Sequence, residues 1–148
     1  MYKHILIATD GSELANKGVE HGLALAKPLG AKVTVLTVTE PLSSTALQAA
    51  VQGGMDNPIG LYEHQMDEEV KKLSEPIMKK AAELGVTLEV DRETDEFPAE
   101  AIIRTAKRKG CDLIVMSSHG RRGVSKFLLG SQTSEVLVHT ALPVHVIR

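Results

Sequence analysis

The chain has 148 residues, with 17 basic against 19 acidic side chains, a net charge of −2 and 43% hydrophobic residues. That length suits one domain, 1–148, with a core of its own, and the charge balance gives no global electrostatic pull toward nucleic acid or a membrane surface. A single cysteine, Cys111, excludes an intrachain disulfide, and two Phe, two Tyr and no Trp leave little for a module that stacks bases on aromatic rings.

The N-terminus enters a strand-like run within a few residues and lacks the pattern of a signal peptide. No apolar stretch approaches the roughly 20 residues a membrane helix needs, so a cytoplasmic location is expected. His4-Ile-Leu-Ile-Ala8 is short and continuously apolar, as in a strand covered on both faces, and Thr9-Asp10-Gly11-Ser12 breaks it. Ser12 suits the N-cap of a helix from Glu13 to Leu29, whose small and apolar residues Ala15, Val19, Gly22, Leu23 and Ala26 recur at helical spacing before Gly30. Lys32 to Val38 is a second strand, rich in β-branched residues. Residues 42–60 hold no firm period and read as a long connection, with at most a helical turn around Ala46 to Val51.

From Leu61 to Leu84 the steps of three and four return, through Met66, Val70, Leu73, Ile77 and Ala81. Pro76 lies inside this run and should kink it, at a cost of about 3 kcal/mol if nothing compensates. Val86 to Val90 alternates and reads as an edge strand. Pro98 suits a helix first turn, Ala101, Ile102, Thr105 and Ala106 form its inner stripe, and Gly110 caps it. Cys111 to Met116 is the fourth strand, Ser131 to about Thr140 a short helix, and Pro143 to Ile147 the fifth strand. Strands alternating with helices imply a parallel sheet with helices on both faces, whose ligands sit beyond the carboxyl ends of the strands where strand order reverses.

Chemistry concentrates between the fourth strand and the last helix. Gly120, Gly123 and Gly130 there allow close backbone approach, and a helix N-terminus offers free N–H groups to an anion. The string is neither a Walker A loop nor a G-x-G-x-x-G fingerprint, so the usual phosphoryl-transfer machinery is missing. Arg121, Arg122 and Lys126 suit phosphate contact or a solvated loop, and the solvated loop is the plainer reading. Asp10 fits a helix cap or a ligand hydroxyl, and Ser131 fits a cap or a phosphate. The six histidines form no metal-ligand spacing, and His119 alone lies in the glycine loop. Cys111 reads as a small core hydrophobe, and no serine elbow nominates a nucleophile.

The whole chain resembles the universal stress protein family. The resemblance is carried by Ile5-Leu-Ile-Ala-Thr-Asp-Gly-Ser12, Val35-Leu-Thr-Val38, Asp112-Leu-Ile-Val-Met116 and Leu142-Pro-Val-His-Val-Ile147. Nucleotide-binding members carry G-2x-G-9x-G-[ST]. Here Ser117-Ser-His-Gly120 is followed by nine residues and then Gly130-Ser131, so only the first glycine is replaced, by Ser117.

The resemblance implies five parallel strands in the order 3-2-1-4-5, a Rossmann-like α/β fold, with an adenine nucleotide between the ends of strands one and four. Carried over by position, Ala8, Thr9 and Val38 would lie near adenine and Asp10 near the ribose. Met116, Ser117 and Gly120 would line ribose and phosphates, and Gly130, Ser131, Gln132 and Thr133 would hold the phosphates. The implied ligand is ATP, with or without Mg2+, and the implied assembly a homodimer through the last strand. The function expected is an ATP-binding stress-response and regulatory module. The alternative is a nucleotide-independent dimeric interaction module, and a slow ATPase or phosphotransferase ranks last for want of a nominated base.

Overall fold

The computed structural model describes residues 1–120 and 129–148. Five parallel strands form one sheet in the order β3-β2-β1-β4-β5: β1 His4–Ala8, β2 Lys32–Thr39, β3 Leu88–Thr94, β4 Leu113–Ser117 and β5 Val144–Ile147. The helices are α1 Glu13–Leu29, α2 Ser44–Gln52, α3 Pro58–Leu84, α4 Pro98–Lys109 and α5 Ser131–His139.

Alternate residues of the central strand face opposite layers, as a period of two requires. Ile5 and Ile7 join Val19 and Leu23 of α1 and Ile77 and Ala81 of α3 in one core. Leu6 joins Ile102 and Ala106 of α4 and Val136 of α5 in the other. Both layers are therefore dry, which explains why β1 is apolar at every position rather than at every second one. Gly22 of α1 sits so close to Ile7 that a Cβ there would meet the isoleucine side chain, its Cγ1 at 2.8 Å. Here glycine sets how near helix and sheet approach. Cys111 is buried, and burial pushes its thiol up to about 11, which leaves it an inert core group.

The structure corrects the reading of residues 42–60 as a long loop. They form α2 and the beginning of α3, joined by a short turn at 53–57. Local chemistry builds both helix starts. Ser43 Oγ accepts from the Ala46 N–H at 3.2 Å, and Asn57 Oδ1 accepts from the Gly60 N–H at 3.2 Å with Pro58 in the first turn. No residue of α2 is buried, so its apolar positions Ala46, Leu47, Ala50 and Val51 announced no more than the helical turn expected there. Helix α3 runs unbroken past Pro76, held to the core by Ile77 and Ala81. Lys72, whose carbonyl loses a partner to the proline, borders an open groove between α1 and α3 where water can serve it.

β3 begins at Leu88 and extends to Thr94, four residues beyond the expected stretch. Three of the four added residues, Asp91, Arg92 and Glu93, are charged and take their order from partners on the helices. Arg92 donates to Asp67 (2.7 Å) and Glu63 (2.6 Å) of α3, while Arg108 and Arg104 of α4 donate to Glu93 (2.7 Å) and Asp95 (3.0 Å). This edge strand is guarded by charge. At the opposite end of the sheet from the strand carboxyl termini, buried His4 bridges the Lys109 carbonyl (3.1 Å) and Thr34 Oγ1 (2.7 Å). The Thr34 hydroxyl donates to Glu89 at 2.7 Å. Among the described residues, no helix is long and apolar enough to cross a membrane.

Candidate functional site

The strand order reverses direction between β1 and β4, so the connections leaving their carboxyl ends diverge to opposite faces and open a cleft. It is lined by Ala8, Thr9 and Asp10 after β1, Leu36 and Val38 of β2, Pro98 and Ile102 of α4, Met116 and Ser117 of β4, His119 and Gly120 beyond it, and Gln132 and Thr133 of α5. One wall is apolar, made by Leu36, Val38, Ile102, Pro98 and Met116. The other is polar and is built from two turns.

The first turn follows β1. Asp10 Oδ1 accepts from the Ser12 N–H at 2.9 Å, and Ser12 Oγ accepts from the Ala15 N–H at 3.2 Å to cap α1. Its other oxygen, Oδ2, lies against Gly120, where a Cβ would overlap it. The carboxylate therefore reaches across the switch point, and Gly120 is required for space.

The second turn follows β4. Ser117 Oγ donates to the His119 carbonyl at 2.8 Å, and the Ser118 N–H donates to the Ile147 carbonyl at 2.7 Å. The Gly130 N–H donates to the Ser118 carbonyl at 2.6 Å, and a Cβ at Gly130 would come within 3.1 Å of that same oxygen. Ser117 is thus accommodated where the motif carries glycine. Among the described residues, Asn57 is the only non-glycine with positive φ, so Ser117 carries no left-handed strain and its hydroxyl braces the turn.

Nine of the sequence-predicted residues meet at this cleft: Ala8, Thr9, Asp10, Val38, Met116, Ser117, Gly120, Gln132 and Thr133. Gly130 and Ser131, at the start of α5, are not part of its lining. The first intrahelical bond of α5 runs from Ser134 N–H to the Gly130 carbonyl, so the amides of Ser131, Gln132 and Thr133 precede it and form the positive end of the helix. Two donors expected for a ligand are engaged within the chain. The Gly130 N–H holds Ser118, and the Thr133 hydroxyl donates to the Ser117 carbonyl at 2.8 Å. Arg121, Arg122, Gly123 and Lys126 lie outside the described residues.

Sequence reasoning did not assign Leu36, Pro98 and Ile102 to the site. Their signal was positional. Leu36 lies two residues before Val38 on one strand face, and Pro98 and Ile102 are one helical turn apart at the start of α4. His119 also lines the cleft, with its Nδ1 3.2 Å from Ser118 Oγ.

Sheet order, diverging turns and a cleft with one apolar and one amide-lined wall define a doubly wound α/β ligand-binding architecture. The comparisons with known proteins make the assignment specific. The universal stress protein family model matches residues 1–148, and the chain belongs to that family. It is 32% identical over 149 residues to universal stress protein YxiE of Bacillus subtilis, covering 100% of both chains. It is similar to the solved structure of MJ0577 of Methanocaldococcus jannaschii, with a TM-score of 0.82, 28% identity, and 99% and 96% of the two chains covered. A universal stress protein solved in complex with cAMP shares the fold, with a TM-score of 0.71, 18% identity, and 99% and 97% coverage.

Proposed function

We propose that this protein binds an adenine nucleotide, ATP foremost, in the cleft between β1 and β4, and works as a regulatory binding module rather than as a catalyst. The observation that carries the proposal is the placement of the Asp10 carboxylate against Gly120, beside the first turn of α5 and opposite an apolar wall. A flat base suits the wall of Leu36, Val38, Pro98, Ile102 and Met116. A carboxylate is an acceptor for ribose hydroxyls, and helix-terminal amides suit phosphate. The cAMP complex of a relative with this fold supports the same ligand class.

The described lining of the cleft holds no lysine or arginine. Charge for a triphosphate tail would therefore come from Arg121, Arg122 or Lys126, or from a bound Mg2+. Asp10 and His119 are the titratable side chains of the described lining, and each is engaged by its own turn, Asp10 by the Ser12 N–H and His119 by the Ser118 hydroxyl, so the reading takes any hydrolysis as slow and incidental.

The proposed partner is a second copy of the chain, joined through β5. That edge carries no carboxylate or lysine between Val144 and Ile147, and Leu137 and Val138 of the preceding helix are 41% and 75% exposed. β3, with its ladder of carboxylates, is guarded by contrast.

The test is to extract the protein purified without added nucleotide and identify any small molecule by mass spectrometry, then to titrate it with ATP in the presence of Mg2+. Saturable binding is expected. No measurable binding at millimolar ATP rejects the proposal.

A further inference from the structure

We infer that Gln132 is a positioning residue that fixes the width of the cleft by tying the start of α5 to the start of α4. The inference rests on the nucleotide reading above and assigns to this side chain a role other than touching the ligand.

Helix α4 begins without a cap of its own. Pro98 has no N–H, and Phe97 at the N-cap makes no side-chain hydrogen bond. Ala99 therefore carries the first amide of the helix, and that amide precedes any intrahelical bond. Gln132 Oε1, from another helix 33 residues along the chain, accepts from the Ala99 N–H at 3.0 Å. The next residue ties the same turn in another direction. Thr133 Oγ1 donates to the Ser117 carbonyl at the end of β4, at 2.8 Å. Two successive side chains thus brace the first turn of α5 between β4 and α4.

The consequence follows from what each anchored element contributes. Pro98 and Ile102 of α4 form part of the apolar wall, and α5 supplies the amide-lined end. The bond from Ala99 to Gln132 sets the separation of these two parts. A ligand whose base rests on the α4 wall while its ribose meets the turns at the other side of the cleft, with or without a phosphate at α5, needs that separation held. A ligand that meets only the α5 turn does not. The carboxamide orientation is unambiguous, because only its oxygen can accept from an N–H.

The experiment compares the native chain with Gln132→Met, which keeps the length and removes the acceptor, and Gln132→Glu, which keeps the acceptor. Binding of AMP, adenosine and ribose 5-phosphate is measured by calorimetry, and exchange of the Ala99 amide by NMR. Gln132→Met should weaken AMP and adenosine about tenfold, the equivalent of one lost hydrogen bond, and leave ribose 5-phosphate within about twofold. Ala99 should exchange faster. Gln132→Glu should retain native adenosine affinity and slow exchange at Ala99, while its charge weakens the phosphate ligands. Equal loss of AMP and ribose 5-phosphate in Gln132→Met would overturn the inference, since it would mean that the α5 turn itself had failed. Unchanged AMP binding in that variant, or equal loss of adenosine in both variants, would also overturn it. If the native chain binds none of the three ligands, the nucleotide reading fails first. If it binds them and Gln132→Met is indifferent, only the positioning role fails.

Discussion

Replacing Gly120 by alanine adds one methyl group at the point where Asp10 crosses the switch point. The new Cβ would overlap Asp10 Oδ2 and stand 3.4 Å from its Cγ. Gly120 is not among the positive-φ glycines, so alanine brings no backbone strain, and the whole effect is displacement. Either the carboxylate swings away and loses the Ser12 N–H at 2.9 Å, or the turn retreats against the bonds that hold it, Gly130 N–H to Ser118 and Ser117 Oγ to His119. Both routes remove Asp10 from its place beside the α5 turn. A hydrogen bond to a charged group contributes about 1.5–3 kcal/mol, so nucleotide affinity should fall roughly ten- to hundredfold. The assay is calorimetric titration of ATP and AMP into Gly120→Ala, with far-UV circular dichroism to confirm the fold. Affinity within twofold of native, with an unchanged melting temperature, would refute the reasoning.

Two glycines of α1 should respond in opposite senses. A Cβ at Gly18 meets only ordinary contacts, the nearest the Ser117 nitrogen at 3.8 Å, so Gly18→Ala should stabilise by about 0.5–1 kcal/mol through helix propensity. Gly22→Ala drives a methyl into Ile7 and should destabilise by about 1–3 kcal/mol, both read from urea midpoints. Acid should loosen the corner at His4. Burial, and then Lys32, hold its imidazole below the usual 6.5, so the native state resists protonation and stability falls as pH drops below 6.5 toward that lowered value. The Thr34 hydroxyl, with Lys109 beside it, holds Glu89 below 4.5, so a second loss follows as pH falls below 4.5. His4→Gln should abolish the upper part of this dependence in urea melts at pH 7 and 5.5, and an unchanged slope in that variant would contradict the assignment.

The elements that alternate strictly between apolar runs and capped helices were legible in the chain. β1, β2, β4 and β5 are mostly buried or half-buried apolar runs that residue type alone announces, whereas their order was carried by the family resemblance. α2 was legible only as a turn around Ala46 to Val51, because it buries nothing and little beyond the Ser43 cap marks its extent. The far half of β3 was not legible because Asp91, Arg92 and Glu93 are held by partners on α3 and α4, tens of residues away in one case and on the next helix in the other. At the site, Asp10 and Gly120 stood out through turn chemistry and spacing. Why Gly120 must be glycine did not, since the answer lies in a side chain 110 positions earlier. The same holds for Gln132, whose side-chain oxygen meets α4, a partner that no local pattern announces.

Nucleotide binding at the β1–β4 cleft can be followed through the backbone amides of 15N-labelled protein while ATP is added. Saturable shifts are expected at Asp10, Gly120 and the first turn of α5 from Ser131 to Thr133, with Lys109 and Cys111 at the far end of the sheet unmoved. Saturation with shifts confined to the groove between α1 and α3, or to β5, would contradict it.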